Sequence, residues 1–445
     1  MKKLTLFLLF FISVNFLTAQ YKNPFYYGEN VIGGGLGVTW IDEKPHYAFR
    51  LFPEFSLGKV GVGLDINFEV GPDGRLRSEN YNEFSDYLSI IRFVRYGKKK
   101  DPFYIRVGAL DYATIGHGTI MYMYNNSPSF DTRKVGVELD INMDNFGLEM
   151  VYGNFAQSGV MGLRGYMKPF ADGAIGKIPV IGDMEVGASI VTDVNKYAGV
   201  SSGTYDSETD TFSPVTDDGS ISIVGIDLGF PVLRSESVNI DLYADYNKII
   251  DFGSGFAAGI EMGFYGLGLV EIKTKFERRI NGDNYLPSYF NPLYEIERFK
   301  LDKTTGKVTS KVAVLKRTES AGNGYYGELL VRVLGTFDIL GSYQRLDDYP
   351  ESGVLHLYTN ILPKSVPFVA RAGYDKVNIS KDTDIFTLDD RSYLYAEIGY
   401  KPLPYMLVSM VYNWTFTPVR DDNENVVGYE PQKKIEPRVS FIYEF

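Results

Sequence analysis

The stretch VGVGLDINFE (residues 60–69) alternates at every position between an apolar set of side chains and a polar or small set. The apolar set includes Val60, Val62 and Phe68, whereas Asp65 and Glu69 belong to the other set. Successive side chains of a β-strand point to opposite faces of its sheet, so this stretch predicts a strand with one apolar and one polar face. Its length, about ten residues, is that of a tilted strand that crosses a membrane.

The same alternation recurs in KVGVELDINM (134–143) and VNIDLYADYN (238–247). Both stretches carry an apolar side chain at every second position and carboxylates between them. A soluble β-sandwich also alternates, because a second sheet covers its apolar face. Alternation therefore predicts strands but does not identify the solvent around them.

The lengths of the connections separate these two alternatives. Long polar segments alternate along the chain with short turns, and this asymmetry is typical of outer-membrane β-barrels. We therefore predict an all-β fold, a transmembrane antiparallel up-and-down β-barrel of about 16 to 20 strands within residues 21–445. The long segments are 193–220, 278–325, 376–390 and 417–434, and the short turns are 144–145, 264–267, 362–365 and 401–404.

The C-terminal residues RVSFIYEF (438–445) point to the same class. Apolar side chains stand at every second position, at Val439, Phe441, Tyr443 and Phe445. This pattern resembles the assembly signal of porin-like Gram-negative outer-membrane β-barrel proteins. The resemblance implies that the barrel-insertion machinery recognises the last strand, which then closes against the first strand in outer-membrane lipid. Closure also has an independent reason, since lipid leaves no partner for an open sheet edge.

The N-terminal residues MKKLTLFLLFFISVNFLTAQ (1–20) read as a secretory signal peptide. Lys2 and Lys3 precede an apolar run of about 14 residues, and Ala19 precedes a polar restart. A membrane-spanning helix needs roughly 20 apolar residues, so an anchor is the weaker interpretation. We expect an exported protein located in the outer membrane.

Composition excludes several other classes. The formal net charge is −11, so the basic footprint of a nucleic-acid-binding protein is missing. The chain has no cysteine, which excludes disulfides and thiolate metal sites. With 34 Tyr, 30 Phe and 46 Gly beside 2 Trp, it has the residues expected at a membrane interface and at barrel bends.

If the apolar set faces lipid, the polar set faces the lumen, where acids outnumber bases by about two to one. Rings of carboxylates raise the local concentration of cations. We therefore expect a channel for passive diffusion of small solutes or ions with a cation bias. In the alternative interpretation, the acids and bases pair into a network that plugs the barrel. The hypothesised pore-lining residues are Asp65, Glu69, Glu138, Asp140, Asp241, Asp245, Glu261, Arg332 and Arg371.

The segment 278–325 bears on this choice and has two possible placements. Its first half is rich in Tyr and Phe, and its second half is basic from Lys303 to Arg317. It can fold into the acidic lumen as a constriction, or it can extend outside the membrane as a hairpin. The sequence favours neither placement.

Residues that would carry enzyme chemistry are sparse. The sequence GHG (116–118) reads as a turn in an external loop, and LHLYT (355–359) lacks the serine that a barrel phospholipase pairs with histidine. GGGLG (33–37) begins a strand rather than a phosphate loop. We expect no enzyme activity, no metal and no cofactor. The second candidate function is a non-conducting structural or accessory barrel in an outer-membrane secretion, assembly or lipid-export complex. The possible protein partners are further copies of the chain, in a homo-oligomer, or the members of a larger membrane complex.

Overall fold

A computed structural model describes residues 30–77, 87, 90–129, 133–215, 219–318, 321–333, 336–361 and 367–444. The predicted signal peptide at 1–20, the turn at 362–365 and Phe445 lie outside these residues. Twenty strands form one antiparallel sheet that closes on itself, since the first strand pairs with the last from Val31–Glu444 to Ile41–Lys434. The predicted fold class and strand count are confirmed.

The strands follow one another around the barrel in chain order. Two of them are interrupted, at residues 52–53 and at Asp65, and their halves pair with each other across the breaks. The strands are β1 Val31–Ile41, β2 Lys44–Leu51 with Glu54–Leu57, β3 Val60–Leu64 with Ile66–Val70, β4 Ile91–Tyr96, β5 Phe103–Gly108, β6 Gly136–Asn142, β7 Phe146–Tyr152, β8 Val160–Met167, β9 Glu185–Asp193, β10 Ile221–Arg234, β11 Val238–Ile249, β12 Ser254–Leu267, β13 Val270–Asn281, β14 Asn323–Val333, β15 Phe337–Leu346, β16 Gly353–Ile361, β17 Phe368–Ile379, β18 Ser392–Leu403, β19 Met406–Arg420 and β20 Val426–Glu444.

The remaining elements lie in the connections. Two short helices, α1 (Tyr294–Arg298) and α2 (Lys311–Arg317), belong to the β13–β14 connection. Single 3₁₀ turns occur at Ile175–Lys177, Pro350–Ser352 and Asp382–Asp384. None of the described helices has the length and apolar character needed to cross a membrane.

The two ends of the barrel differ in the way that the sequence predicts. The end that carries the start of β1 and the end of β20, which we call the short-turn end, has tight turns such as 143–145 and 268–269. The opposite end, the loop end, carries the long connections 194–220 and 282–322. The β8–β9 connection, residues 168–184, is a long segment at the short-turn end, and the predicted loop at 417–434 is a second exception.

In that region β19 and β20 continue to pair as far as Arg420 and Val426, leaving a turn at 421–425. The projecting part of β20 packs through Val427 against Phe299 and Val308. Residues of the β13–β14 connection therefore stabilise the polar ends of β19 and β20 outside the barrel. The local sequence of these two strands does not reveal such long-range contacts.

The outer face of the barrel is apolar and its inner face is polar. On β10, Ile226 is 61% exposed, whereas the neighbouring Asp227, on the other face, is 4% exposed. Val224 and Leu228 are exposed on the same side as Ile226. This arrangement is the reverse of a water-soluble protein and matches strands that face lipid on the outside.

Candidate functional site

The lumen contains residues 109–129 of the connection between β5 and β6, which we call the strap. Gly108 and Gly136 are paired in register where the strap leaves and rejoins the wall. Within the strap, Ala113 and Tyr124 exchange both backbone hydrogen bonds at 2.9 and 2.8 Å, so the strap is a hairpin. Met121 is fully buried at its tip. The GHG turn predicted outside the barrel is thus inside it.

The strap has a sequence signal that the strand pattern obscures. Residues 120–124, IMYMY, form a run of large side chains with no polar residue between them. All five side chains are buried. A run of this kind at a predicted external loop indicates burial inside the barrel rather than contact with solvent.

A second segment, residues 285–298 of the β13–β14 connection, enters the lumen beside the strap, and we call it the inner segment. The Phe290 N–H donates to the Ile120 carbonyl at 3.2 Å, and the Tyr122 N–H donates to the Phe290 carbonyl at 3.0 Å. Tyr289, Phe290 and Tyr294 form an aromatic group whose closest centroids lie 4.7 Å apart. The two inward segments therefore form one packed unit.

The rest of that connection stays at the loop end. Residues 299–310 form a hairpin that joins another hairpin from the β9–β10 connection in a four-stranded sheet. Its strands, in spatial order, are Thr211–Pro214, Ser202–Asp206, Lys307–Ser310 and Phe299–Asp302. Both predicted placements of the segment 278–325 thus occur. Residues 285–298 enter the lumen, and residues 299–310 form a hairpin outside it.

The inward unit contacts the barrel wall in two different ways. The first is apolar, since Ile120 shares a core with Val191 of β9 and Ile223 of β10. Near the tip the contacts are polar: His117 Nδ1 lies 3.2 Å from Asp245 Oδ1, and the Asn247 amide donates to Thr119 Oγ1 at 3.0 Å. Hydrogen bonds to water can replace a polar contact of this kind at a small net cost in free energy. Exposing the apolar contacts to water costs more free energy.

Most of the hypothesised pore-lining residues are paired with an opposite charge. Asp65 accepts hydrogen bonds from Arg50 and Arg133, and Glu69 pairs with Arg77 and Lys434. The other charged contacts are Glu138–Lys99, Asp241–Arg234, Arg332–Asp338 and Arg371–Glu397, and Asp245 lies against the imidazole of His117. Pairing lowers the field that these acids would otherwise create in the lumen.

Asp140 and Glu261 complete the hypothesised set, and they lie in different environments. Asp140 is buried on β6 beside Glu138. Glu261 is exposed on β12 and lies directly opposite Asp241 on β11, near the short-turn end. The structure thus brings two carboxylates together where the inner wall remains accessible to water.

A barrier divides the lumen along β14–β16, and we call it the tyrosine barrier. Tyr122 and Met123 of the strap pack against Tyr326 and Leu330 of β14. Tyr112, Leu340 and Tyr358 complete the same cluster. On its short-turn side, Arg332 and the wall around it are only partly buried. On the other side is a cleft that faces the loop end.

This loop-end cleft lies between the inner segment and strands β14–β17. Tyr122, Tyr289, Tyr326 and Tyr349 contribute to its walls, together with Gln344 and His356. The sequence pattern around His356 gave no indication of a role in binding. Its Nδ1 lies 2.6 Å from Asp375 Oδ1, so the imidazole is held in a fixed orientation.

The β17–β18 loop at the same end is held by Asp389. Burial alone would raise the pKa of Asp389, but hydrogen bonds from Arg391 and Lys376 outweigh burial and hold this pKa well below its ordinary value. The Asp389 carbonyl accepts from Trp414 Nε1 at 2.9 Å. The ionised carboxylate holds the loop to Lys376 of β17, and the backbone carbonyl of the same residue ties the loop to β19.

We predict that acid loosens this loop. A depressed carboxyl pKa contributes stability that is complete above about pH 4, the unfolded value, and is lost as the pH falls through the folded value. Trp414 fluorescence, isolated with Trp40→Phe, should therefore change below about pH 4. Asp389→Asn should show the acid spectrum already at pH 7, and an unchanged spectrum in that variant would contradict the prediction.

Within the described parts of the chain, no three His, Asp or Glu side chains are placed to hold a metal ion. Comparison with known sequences gives no matching family and no matching curated protein.

Comparison with solved structures gives barrels of low similarity. The ferric enterobactin receptor PfeA of Pseudomonas aeruginosa has a TM-score of 0.35 at 7% identity over 94% of this chain and 82% of its own. OmpT, an outer-membrane protein of Vibrio cholerae, has 0.28 at 9% over 93% and 97%. Pseudomonas aeruginosa OccD3 has 0.30 at 10% over 93% and 91%. Similarities this low carry no information about function, which has to be inferred from the geometry of this barrel itself.

Proposed function

We propose that this protein is an outer-membrane channel for passive passage of small polar solutes or ions, closed in the described state by the tyrosine barrier. One observation carries the proposal. On β14–β16 a cleft and a water-accessible inner wall lie on opposite sides of the tyrosine barrier, to which the strap contributes Tyr112, Tyr122 and Met123. Movement of that barrier alone would connect the two spaces.

The contacts of the strap support such a movement. Tyr122 meets the wall through a hydrogen bond to Glu328 and through the ring of Tyr326, 5.3 Å between centroids. The opposite side of the inward unit is anchored through the apolar core with β7–β11. The cluster on the β14–β16 side is the smaller of the two, so it is the side that we propose to separate.

We also propose that the cation bias arises at the short-turn end. Asp65 is held by two guanidinium groups and contributes little field. Asp241, with Arg234 as its partner, and Glu261 face each other on a partly exposed wall, where water screens that single pair less completely than burial would neutralise it. Neutralising both, with Asp241→Asn and Glu261→Gln, should move the reversal potential in a salt gradient towards zero, because two carboxylates no longer concentrate cations.

The measurement is single-channel recording of the refolded protein in a planar bilayer under a salt gradient. Asp206→Asn, in the loop-end sheet outside the barrel, is the matched control and should leave the reversal potential unchanged. An unchanged potential in the double variant would contradict the proposed origin of selectivity. Absence of current from a correctly folded, heat-modifiable barrel would contradict the channel.

The second candidate function, a non-conducting accessory barrel in a larger outer-membrane complex, is favoured by the dry packing between the strap and the inner segment. Met121 and Phe290 are fully buried there. This candidate predicts partner proteins that remain bound through the loop-end sheet during purification, together with zero conductance. A conducting barrel that purifies alone would exclude it.

A further inference from the structure

A groove of about 440 Å³ lies on the outer wall of the barrel, where β1 runs between β2 and β20, and we call it the seam groove. Its floor is Gly34, which pairs with Leu51 on one side and with Phe441 on the other. Gly34 belongs to the lipid-facing set of β1, between the exposed side chains of Ile32 and Leu36. A glycine at this position therefore leaves a depression in the apolar outer face.

The walls of the seam groove are apolar side chains that stand out from the wall of the barrel. Leu36 and Phe49 pair across β1–β2 and are 64% and 41% exposed, and Phe441 on β20 is 55% exposed. From Gly34 to Leu36, β1 is hydrogen-bonded to both neighbouring strands, so its backbone offers no edge to a further strand. An acyl chain needs no hydrogen bond, so the groove suits a hydrocarbon chain better than a polypeptide strand.

Two tyrosines flank the seam groove at the short-turn end of the barrel. Tyr443 lies near the end of β20 and is 63% exposed, and Tyr405 lies in the turn 404–405 and is 51% exposed. The Ile442 N–H donates to the Tyr405 carbonyl at 2.8 Å, which holds this turn against the seam. Short turns of outer-membrane barrels face the periplasm, and tyrosine rings are enriched at the level of the lipid headgroups. The tyrosines therefore mark the headgroup end of the groove.

The dimensions of the seam groove are those of one acyl chain. Ile32 and Leu36 are four residues apart, which is about 13 Å along an antiparallel strand. The hydrocarbon depth of one leaflet is about 15 Å, half of the bilayer core. The groove volume also lies within the range of about 300–1,000 Å³ that is usual for ligand sites. A chain in the groove would contact the floor and both walls, whereas a chain elsewhere on the barrel contacts one surface.

We infer that the seam groove binds one acyl chain of a membrane phospholipid, with the headgroup beside Tyr405 and Tyr443 in the periplasmic leaflet. Contact on three sides makes this lipid exchange more slowly than the lipids around it. The chain lies against both the first and the last strand, so it also stabilises the closure of the barrel. The site is on the outer wall and does not depend on passage through the lumen.

The test is native mass spectrometry of the refolded protein in detergent, titrated with dioleoyl phosphatidylethanolamine. The wild type should retain one phospholipid per barrel, and retention should saturate. Gly34→Leu fills the floor and should abolish retention. A Cβ at this position would lie 3.2 Å from Leu51 Cδ1, a contact that rotation of the Leu51 side chain relieves. Ala258→Leu enlarges an exposed residue on the lipid-facing side of β12 and should retain the lipid as the wild type does.

A second pair of variants keeps Gly34 and serves where the added leucine prevents folding. Phe49→Ala removes one wall of the groove and should weaken retention by about three- to tenfold, because the chain loses apolar contact on that side. Phe256→Ala is the matched control, since Phe256 lies on the lipid-facing side of β12 and is 40% exposed, against 41% for Phe49.

Equal retention by the Phe49 and Phe256 variants would overturn the site, and so would a wild-type barrel that retains no phospholipid. A lipid-free dimer of the wild type that Gly34→Leu separates into monomers would assign the groove to a second copy of the chain, which also overturns the inference. None of these measurements involves conductance, so failure of the lipid site is distinguishable from failure of the proposed channel.

Discussion

A variant in which an Asn-Gly turn replaces residues 114–123 should conduct several times more current per channel than the wild-type barrel. Ala113 and Tyr124 already exchange both backbone hydrogen bonds, so a two-residue turn can close the shortened hairpin. The change removes Tyr122 and Met123 from the tyrosine barrier while the strap keeps its attachment to β5 and β6. Single-channel recording in symmetric salt measures the effect.

A matched control shortens a hairpin outside the lumen. Asp206 and Thr211 are paired at the end of the loop-end sheet, and an Asn-Gly turn can replace residues 207–210. This variant should conduct as the wild type does. If the shortened strap folds into a heat-modifiable barrel and its conductance equals that of the control, the strap does not limit passage, and the accessory-barrel interpretation becomes the better one.

The substitution Glu397→Gln should destabilise the barrel by about 3–5 kcal/mol, the effect of removing one member of a buried ion pair. Glu397 is fully buried and pairs with Arg371 on the adjacent strand β17 and with Arg438 on β20, two strands away. It also accepts from Ser409 Oγ at 2.7 Å. A neutral amide cannot balance the charge of the two guanidinium groups. The substitution therefore raises the free energy of the folded state more than that of the unfolded state. Urea unfolding in detergent micelles gives the free energy of unfolding.

Asp390→Asn is the control for this substitution, because Asp390 pairs with Lys300 on the exposed loop-end surface. An exposed pair contributes about 1 kcal/mol or less. Equal stability of the two variants would show that water reaches Glu397 and that the β17–β20 wall is not a rigid, dry support. The expected difference would instead show that the β17–β20 wall excludes water from this ion pair.

The amino-acid sequence by itself determined the barrel. The strict alternation in residues 60–69, 134–143 and 238–247 assigns one face of each strand to lipid, and a shift of one residue would place every carboxylate in the membrane. Val439, Phe441 and Tyr443 mark the closing strand for the same reason, and β20 does pair with β1. These features are local, because side-chain direction in a strand depends only on position.

The tertiary structure alone decided what occupies the lumen. Strand periodicity says nothing about a connection that turns inward, so the strap was predicted outside and the inner segment had two possible placements. Their burial depends on contacts between residues far apart in the chain, such as Met121 with Phe290. The same holds for charge: the acids of the inner face suggest an open cation channel, but cross-strand register decides that Asp65 meets Arg50 and that Glu397 meets Arg371. The partners of a buried charge are set by register and by inward packing, and these are properties of the closed barrel.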